Sequence, residues 1–215
     1  MAHDRARGGR RYAGASGDAA GGAAFVDGWM PQYERAGMLY AHLAWHRALW
    51  HLEAGELAEA LELYEAALRP AASLAPPINV ISDCASLLWR VSMREGFRRQ
   101  AIAWREVEDF ARERYAGPSP HFIEWHVALA LNAGADRAEV HKRLTAVRSR
   151  EAAGVLPTGG TLAAVCEAFA AFAEGRYKDV VALLEKVLQD TARLGGSGAQ
   201  RRIIRETLET ARQRA

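Results

Sequence analysis

Apolar residues recur along this chain at the spacing of one helical face, and the pattern is interrupted at nearly regular intervals by glycine. Gly55, Gly96, Gly134 and Gly175 lie about forty residues apart, which is the period of a stacked helix-pair repeat. In the clearest unit, Ala48, Gly55, Ala60, Tyr64, Ala67 and Leu68 supply small and large side chains in a tetratricopeptide-like order. A second unit repeats the theme with Ala168, Gly175, Tyr177, Leu184 and Leu188. Each glycine is expected in the tight turn within a pair, where positive φ is useful. The predicted pairs are 37–54 with 57–69, 79–95 with 98–114, 120–133 with 137–152, and 161–174 with 177–194. Prolines 70, 76, 77, 118, 120 and 157 separate them. A last helix over 199–212, with a polar outer face, closes the array as a cap. No segment reads as a strand. The predicted fold is therefore an all-α, tetratricopeptide-like solenoid of about four helix pairs plus a C-terminal capping helix.

Periodicity also predicts the core. Trp45, Leu49, Tyr64, Leu88, Trp125, Leu129, Phe169 and Leu184 all fall on inward phases. Residues 1–22 are rich in Gly, Ala and Arg and poor in core formers, so they read as a disordered tail preceding a helical domain over 23–215. An ordered start is expected near Phe25 to Trp29.

Composition narrows the function classes. The net charge of +2 is accounted for by the first 22 residues, where four arginines face two aspartates. A body without net charge speaks against a nucleic-acid or membrane partner. No apolar run approaches the roughly 18 residues of a membrane span, and the N-terminus lacks the apolar core of a secretory signal. Cys84 and Cys166 form no CxxC pair and read as reduced, buried thiols of a cytoplasmic protein. Abundant Arg, Ala and Gly read as the coding bias of a GC-rich bacterial genome.

Three segments carry a family resemblance. They are His42-Leu-Ala-Trp45-His46 with Leu52-Glu-Ala-Gly55-Glu and Ala60-Leu-Glu-Leu-Tyr64; Ser82-Asp83-Cys84-Ala-Ser86-Leu-Leu-Trp89-Arg90; and Leu194-Gly195-Gly196-Ser197-Gly198-Ala199-Gln200-Arg201. In order and spacing they resemble the tetratricopeptide repeat protein 38 family. The resemblance implies an all-helical repeat fold and little about chemistry. Members of that family are generally longer, with more repeats ahead of this region, so the chain looks like a C-terminal half. An N-terminal face exposing Tyr33, Met38 and Tyr40 is then expected to self-associate.

Candidate chemistry lies on the first helix of each pair. His42 and His46, at i and i+4, share a face, but Leu43 stands where a zincin helix has glutamate. Asp83 and His126 are the residues available to complete a metal set. Trp45-His46, Trp89-Arg90, Trp125-His126 and Cys166-Glu167 place a polar residue after a large or soft one, which predicts a polar ladder along a concave groove. Ser197 with Gln200 predicts a capping box, and the glycine run before Arg201 an anion-attracting helix N-terminus. The resulting expectation is a binding or scaffold module that holds a peptide, a protein or a small polar ligand through His42, His46, Asp83, Arg90, His126, Ser197, Gln200 and Arg201, with no cofactor. The alternative is an enzyme that uses the His/Asp/Arg cluster for hydrolytic or acid-base chemistry, with or without a metal.

Overall fold

A computed structural model describes residues 19–134 and 136–215, with side chains from residue 21 onward. The described residues are all-helical and contain no strand. The α-helices are α1 (Ala19–Trp29), α2 (Tyr40–Ala54), α3 (Leu57–Leu63), α4 (Pro77–Glu95), α5 (Ala101–Arg114), α6 (His121–Ala133), α7 (Arg137–Ala152), α8 (Thr161–Ala173), α9 (Tyr177–Val187) and α10 (Gly198–Arg214). Short turns of tighter or wider helix continue several of them, including Tyr64–Leu68 after α3 and Leu188–Leu194 after α9. The expected pair boundaries agree with these elements to within a few residues.

One difference lies at the N-terminus. Helix begins at Ala19, inside the stretch read as a disordered tail; residues 1–18 of that tail lie outside the described residues. The Ala- and Gly-rich sequence of α1 gave little signal, because its small residues serve close packing. A Cβ on Gly22 would sit 2.8 Å from Cζ2 of Trp50.

The chain divides into two compact units, one running to Val80 and the other from Ile81 to Ala215. In the first, α1 and α3 pack against α2. Val26, Met30, Leu43, Trp45, Leu49, Leu52, Tyr64 and Leu68 form its core. Of the apolar face expected there, Met38 is exposed, whereas Tyr33 and Tyr40 are half-buried.

In the second unit, α8 is the central helix and packs against α6, α7, α9 and α10. Trp89 on α4 is its aromatic hub. The ring meets Phe97, Trp104, Phe169 and Phe172 with centroids 4.9–6.4 Å apart. Its Nε1 donates to Thr207 Oγ1 of α10 at 3.1 Å. The C-terminal helix therefore returns to the second helix pair. In a simple array each repeat touches only its neighbours. All eight residues predicted for the core are buried.

Turn chemistry explains most helix ends. Gly55 and Gly175 adopt positive φ (83° and 75°), and the amide after each bonds a carbonyl five residues back, closing the last helical turn. Gly134 departs from the expectation, with φ −80° and ψ 179°. A Cβ there would first meet the Glu108 carboxylate, the flexible end of a side chain that can move aside. The N-terminus of α8 has a cap that sequence reading missed. Glu151, at the end of α7, accepts from Gly160 N (3.0 Å), Leu162 N (3.1 Å), Ala163 N (3.1 Å) and Thr158 Oγ1.

Two stability predictions follow from this packing. Leu129 is fully buried, so Leu129→Ala should cost about 2–5 kcal/mol in denaturant unfolding. Glu151→Ala orphans several donors at one helix end and should cost about 2 kcal/mol. A loss below about 0.5 kcal/mol would show that α8 does not depend on this carboxylate.

Candidate functional site

The eight candidate residues fall into both units. His42 and His46 lie in the first, on α2, half-buried around the fully buried Trp45. His42 stacks on the Trp45 ring (5.2 Å, 14°), His46 meets the same ring edge-on (4.8 Å), and His46 also approaches Trp50 (5.9 Å). The two imidazoles are 4.9 Å apart, edge to face. They form part of an aromatic row along one helix.

Asp83, Arg90, His126, Ser197, Gln200 and Arg201 lie in the second unit. Asp83 is 1% exposed and accepts from Ser82 Oγ. Arg90 is equally enclosed. Its Nε bonds Glu206 Oε2 of α10 at 2.6 Å, Nη1 bonds Ser86 O at 3.2 Å, and Nη2 bonds Ala199 O at 3.1 Å. Burial lowers its pKa, and the Glu206 carboxylate opposes that shift. The expectation of an open groove residue is corrected here: Arg90 binds α10.

His126 is fully buried and stacks on Trp125 with ring centroids 3.4 Å apart. Its Nδ1 lies 2.7 Å from Phe122 O; a carbonyl only accepts, so this nitrogen carries the proton. Nε2 is then a bare acceptor, and it has no partner among the described residues. Burial drives the imidazole pKa down to about 3, with a smaller lowering from Arg90 against the raising effect of Phe122 O. A base this weak is poorly matched to proton transfer near neutrality.

The ladder is not uniform. Glu167, the equivalent on α8, is partly exposed and pairs with Arg148 of α7, whereas Arg90 turns toward α10. At the glycine run, the capping box forms as read: Ser197 Oγ accepts from Gln200 N (3.2 Å), and Gln200 Oε1 accepts from Ser197 N (2.7 Å). Arg201 turns back to the carbonyls of Gly195 and Gly196. Ser197 N, Gln200 N and Arg201 Nη1 are thereby engaged in closing a turn. Among the described residues no group of three or more His, Cys, Asp and Glu side chains is arranged for a metal ion. Cys84 and Cys166 are buried and not joined in a disulfide, and burial raises both thiol pKa values.

Sequence reading missed a second buried ion pair. Glu124, 2% exposed, meets Arg143 Nε at 2.8 Å and accepts from Ser119 N at 2.9 Å. Arg143 also donates to Tyr115 O and Gly117 O, so the pair pins the loop before α6. Beside it is a cavity of about 20 Å3 between α6, α7 and α8, the size of one water, where Asn132 Oδ1 lacks a partner among the described residues.

The largest of the cavities described belongs to the first unit. It measures about 370 Å3 and is lined by Asp27 of α1, by Arg47, Trp50, His51 and Glu53 of α2, and by Glu56. Arg47 Nε pairs with Asp27 at 2.5 Å, and His51 Nδ1 with Glu56 at 2.6 Å. About half of the Asp27 and Glu56 side-chain surface stays accessible. None of the eight candidate residues lines it. The sequence does not reveal it because Asp27 meets Arg47, twenty residues on, only once α1 packs against α2.

The fold and these sites define an all-helical protein of two compact units. No helix among the described residues is long and apolar enough to cross a membrane. No protein-family model matches the chain, and no solved structure matches it.

The pH response of the second unit should report His126. The folded form resists protonation down to about pH 3, whereas an unfolded histidine takes its proton near 6.5. Stability is then complete above about pH 6.5 and falls as the pH drops toward 3, by up to about 1.4 kcal/mol per unit. His126→Phe should flatten that slope. An unchanged slope between pH 6.5 and 4 would assign it to other groups.

Proposed function

We propose that this chain is a noncovalent binding module of tetratricopeptide-like helix pairs, holding a peptide or a small polar ligand. The observation that carries this reading is the charged, tryptophan-lined cavity of the first unit, whose volume of about 370 Å3 falls within the range of ligand sites. Helix pairs at a spacing of about forty residues, together with the resemblance to the tetratricopeptide repeat protein 38 family, support the repeat reading. The return of α10 to α4 departs from a simple open array. Two buried cysteines outside any disulfide fit a reducing compartment such as the cytoplasm.

An enzyme built on His42, His46, Asp83, Arg90 and His126 has less support. Arg90 is engaged with Glu206 and two carbonyls, and His126 is a weak, buried base. A groove along the first helices of the second unit is likewise poorly supported, because α10 lies against Trp89 and Arg90.

The test is a displayed random-peptide library panned on the immobilised full-length chain, with ligands mapped by backbone amide shifts. Enriched ligands should perturb α1 and α2. Ala54 lines the cavity at the exposed end of α2, so Ala54→Trp should fill it and weaken binding at least about tenfold. No enrichment, or ligands indifferent to Ala54→Trp, would overturn the assignment. Turnover in a hydrolase substrate panel that disappears with His126→Phe would restore the enzyme reading.

A further inference from the structure

We infer that the α1–α2 cavity takes a cationic side chain, arginine above others, presented by a peptide segment of a partner protein. This rests on the binding-module reading and adds the chemistry of what is bound.

Charge is the first argument. Asp27 and Glu56 bring carboxylates to the wall beside the Arg47 guanidinium and the His51 imidazole, and Glu53 lines it as well. Asp27 and Glu56 keep about half of their side-chain surface accessible despite their ion pairs, so the cavity presents partly hydrated carboxylate oxygen. An anion entering here meets like charge. A neutral apolar ligand would strip water from carboxylates without replacing the lost hydrogen bonds. A guanidinium replaces them with a planar fork of donors matched to carboxylate geometry.

Shape is the second argument. Trp50 lines the same cavity and is held from two directions. Gly22 of α1 packs against its Cζ2 edge, where any Cβ would lie 2.8 Å away, and the His46 ring stands 5.9 Å from it. A fixed indole beside carboxylates suits a flat cation, because the ring face attracts positive charge while the aliphatic stem covers the ring. The volume exceeds one arginine side chain and leaves room for flanking backbone.

The probes are two synthetic peptides, acetyl-Gly-Arg-Gly-Arg-Gly-amide and its citrulline counterpart, which keeps the shape and loses the charge. Each is titrated into the 15N-labelled full-length chain, and the Trp50 indole N–H signal is assigned by Trp50→Phe. The expected result is a saturable shift centred on Trp50 and Glu53, with citrulline binding at least about tenfold weaker. The double variant Glu53→Gln, Glu56→Gln changes only exposed side chains and should weaken the arginine peptide about tenfold with an unchanged circular dichroism spectrum. Equal affinity for both peptides, shifts away from α1 and α2, or a double variant that binds like wild type would overturn the inference. So would binding seen only after Arg5, Arg7, Arg10 and Arg11 are changed to Gln, which would make the chain's own N-terminal arginines the occupant. A library ligand that fills the cavity without a cation would remove this inference and leave the binding-module reading standing.

Discussion

The second unit is organised around a charge that cannot be left alone. Arg90 sits on α4 with 3% of its side chain accessible. A guanidinium in such a place is costly unless its donors meet carboxylate and carbonyl oxygen. Three partners meet that need: Ser86 O on its own helix, and Ala199 O and Glu206 Oε2 on α10. The contacts to α10 lie seven residues apart, so they fix both where that helix starts and how it is rotated. Trp89, one residue earlier, adds a second directional bond through Thr207. Apolar side chains of similar volume would bury comparable surface without these directional contacts, and specifying register is the best-attested role of a buried polar contact.

Local chemistry was legible in the sequence, and distant chemistry was not. Helix ends followed from Gly55, Gly175, the prolines and the Ser197–Gln200 capping box, because each acts within a few residues of itself. The core followed from periodicity. The partners of Arg90 did not, since Glu206 is 116 positions away and nothing in either neighbourhood marks the pairing. Glu151 is an intermediate case: it ends α7 as an unremarkable acidic residue and caps α8 only because the intervening loop returns the chain to it. Gly134 shows a similar limit. The sequence marks a glycine at the turn, yet the backbone there is extended and its nearest neighbour is the flexible Glu108 carboxylate.

The enclosure of Arg90 and His126 is hidden from the sequence for a related reason. A polar residue after a tryptophan on successive first helices resembles a ladder facing a groove. In α4 and α6 the same pattern places polar groups where neighbouring helices close over them. Arg90 becomes a tie between helices, and His126 becomes a neutral ring bonded to the carbonyl of the preceding turn. Burial that makes such residues useful for specifying packing removes the access and basicity that chemistry requires.

Charge in the first unit is arranged differently. Asp27, Arg47, His51 and Glu56 pair across α1, α2 and the following turn without being taken out of water, and they surround an indole instead of being covered by one. Half-exposed ion pairs add little to stability. Their carboxylates keep hydrogen-bonding capacity, and exchanging a water for a ligand donor there costs far less than opening Arg90 or Glu124. Recognition is therefore more economical at the α1–α2 cavity than at any of the buried polar groups that the sequence pattern first singled out.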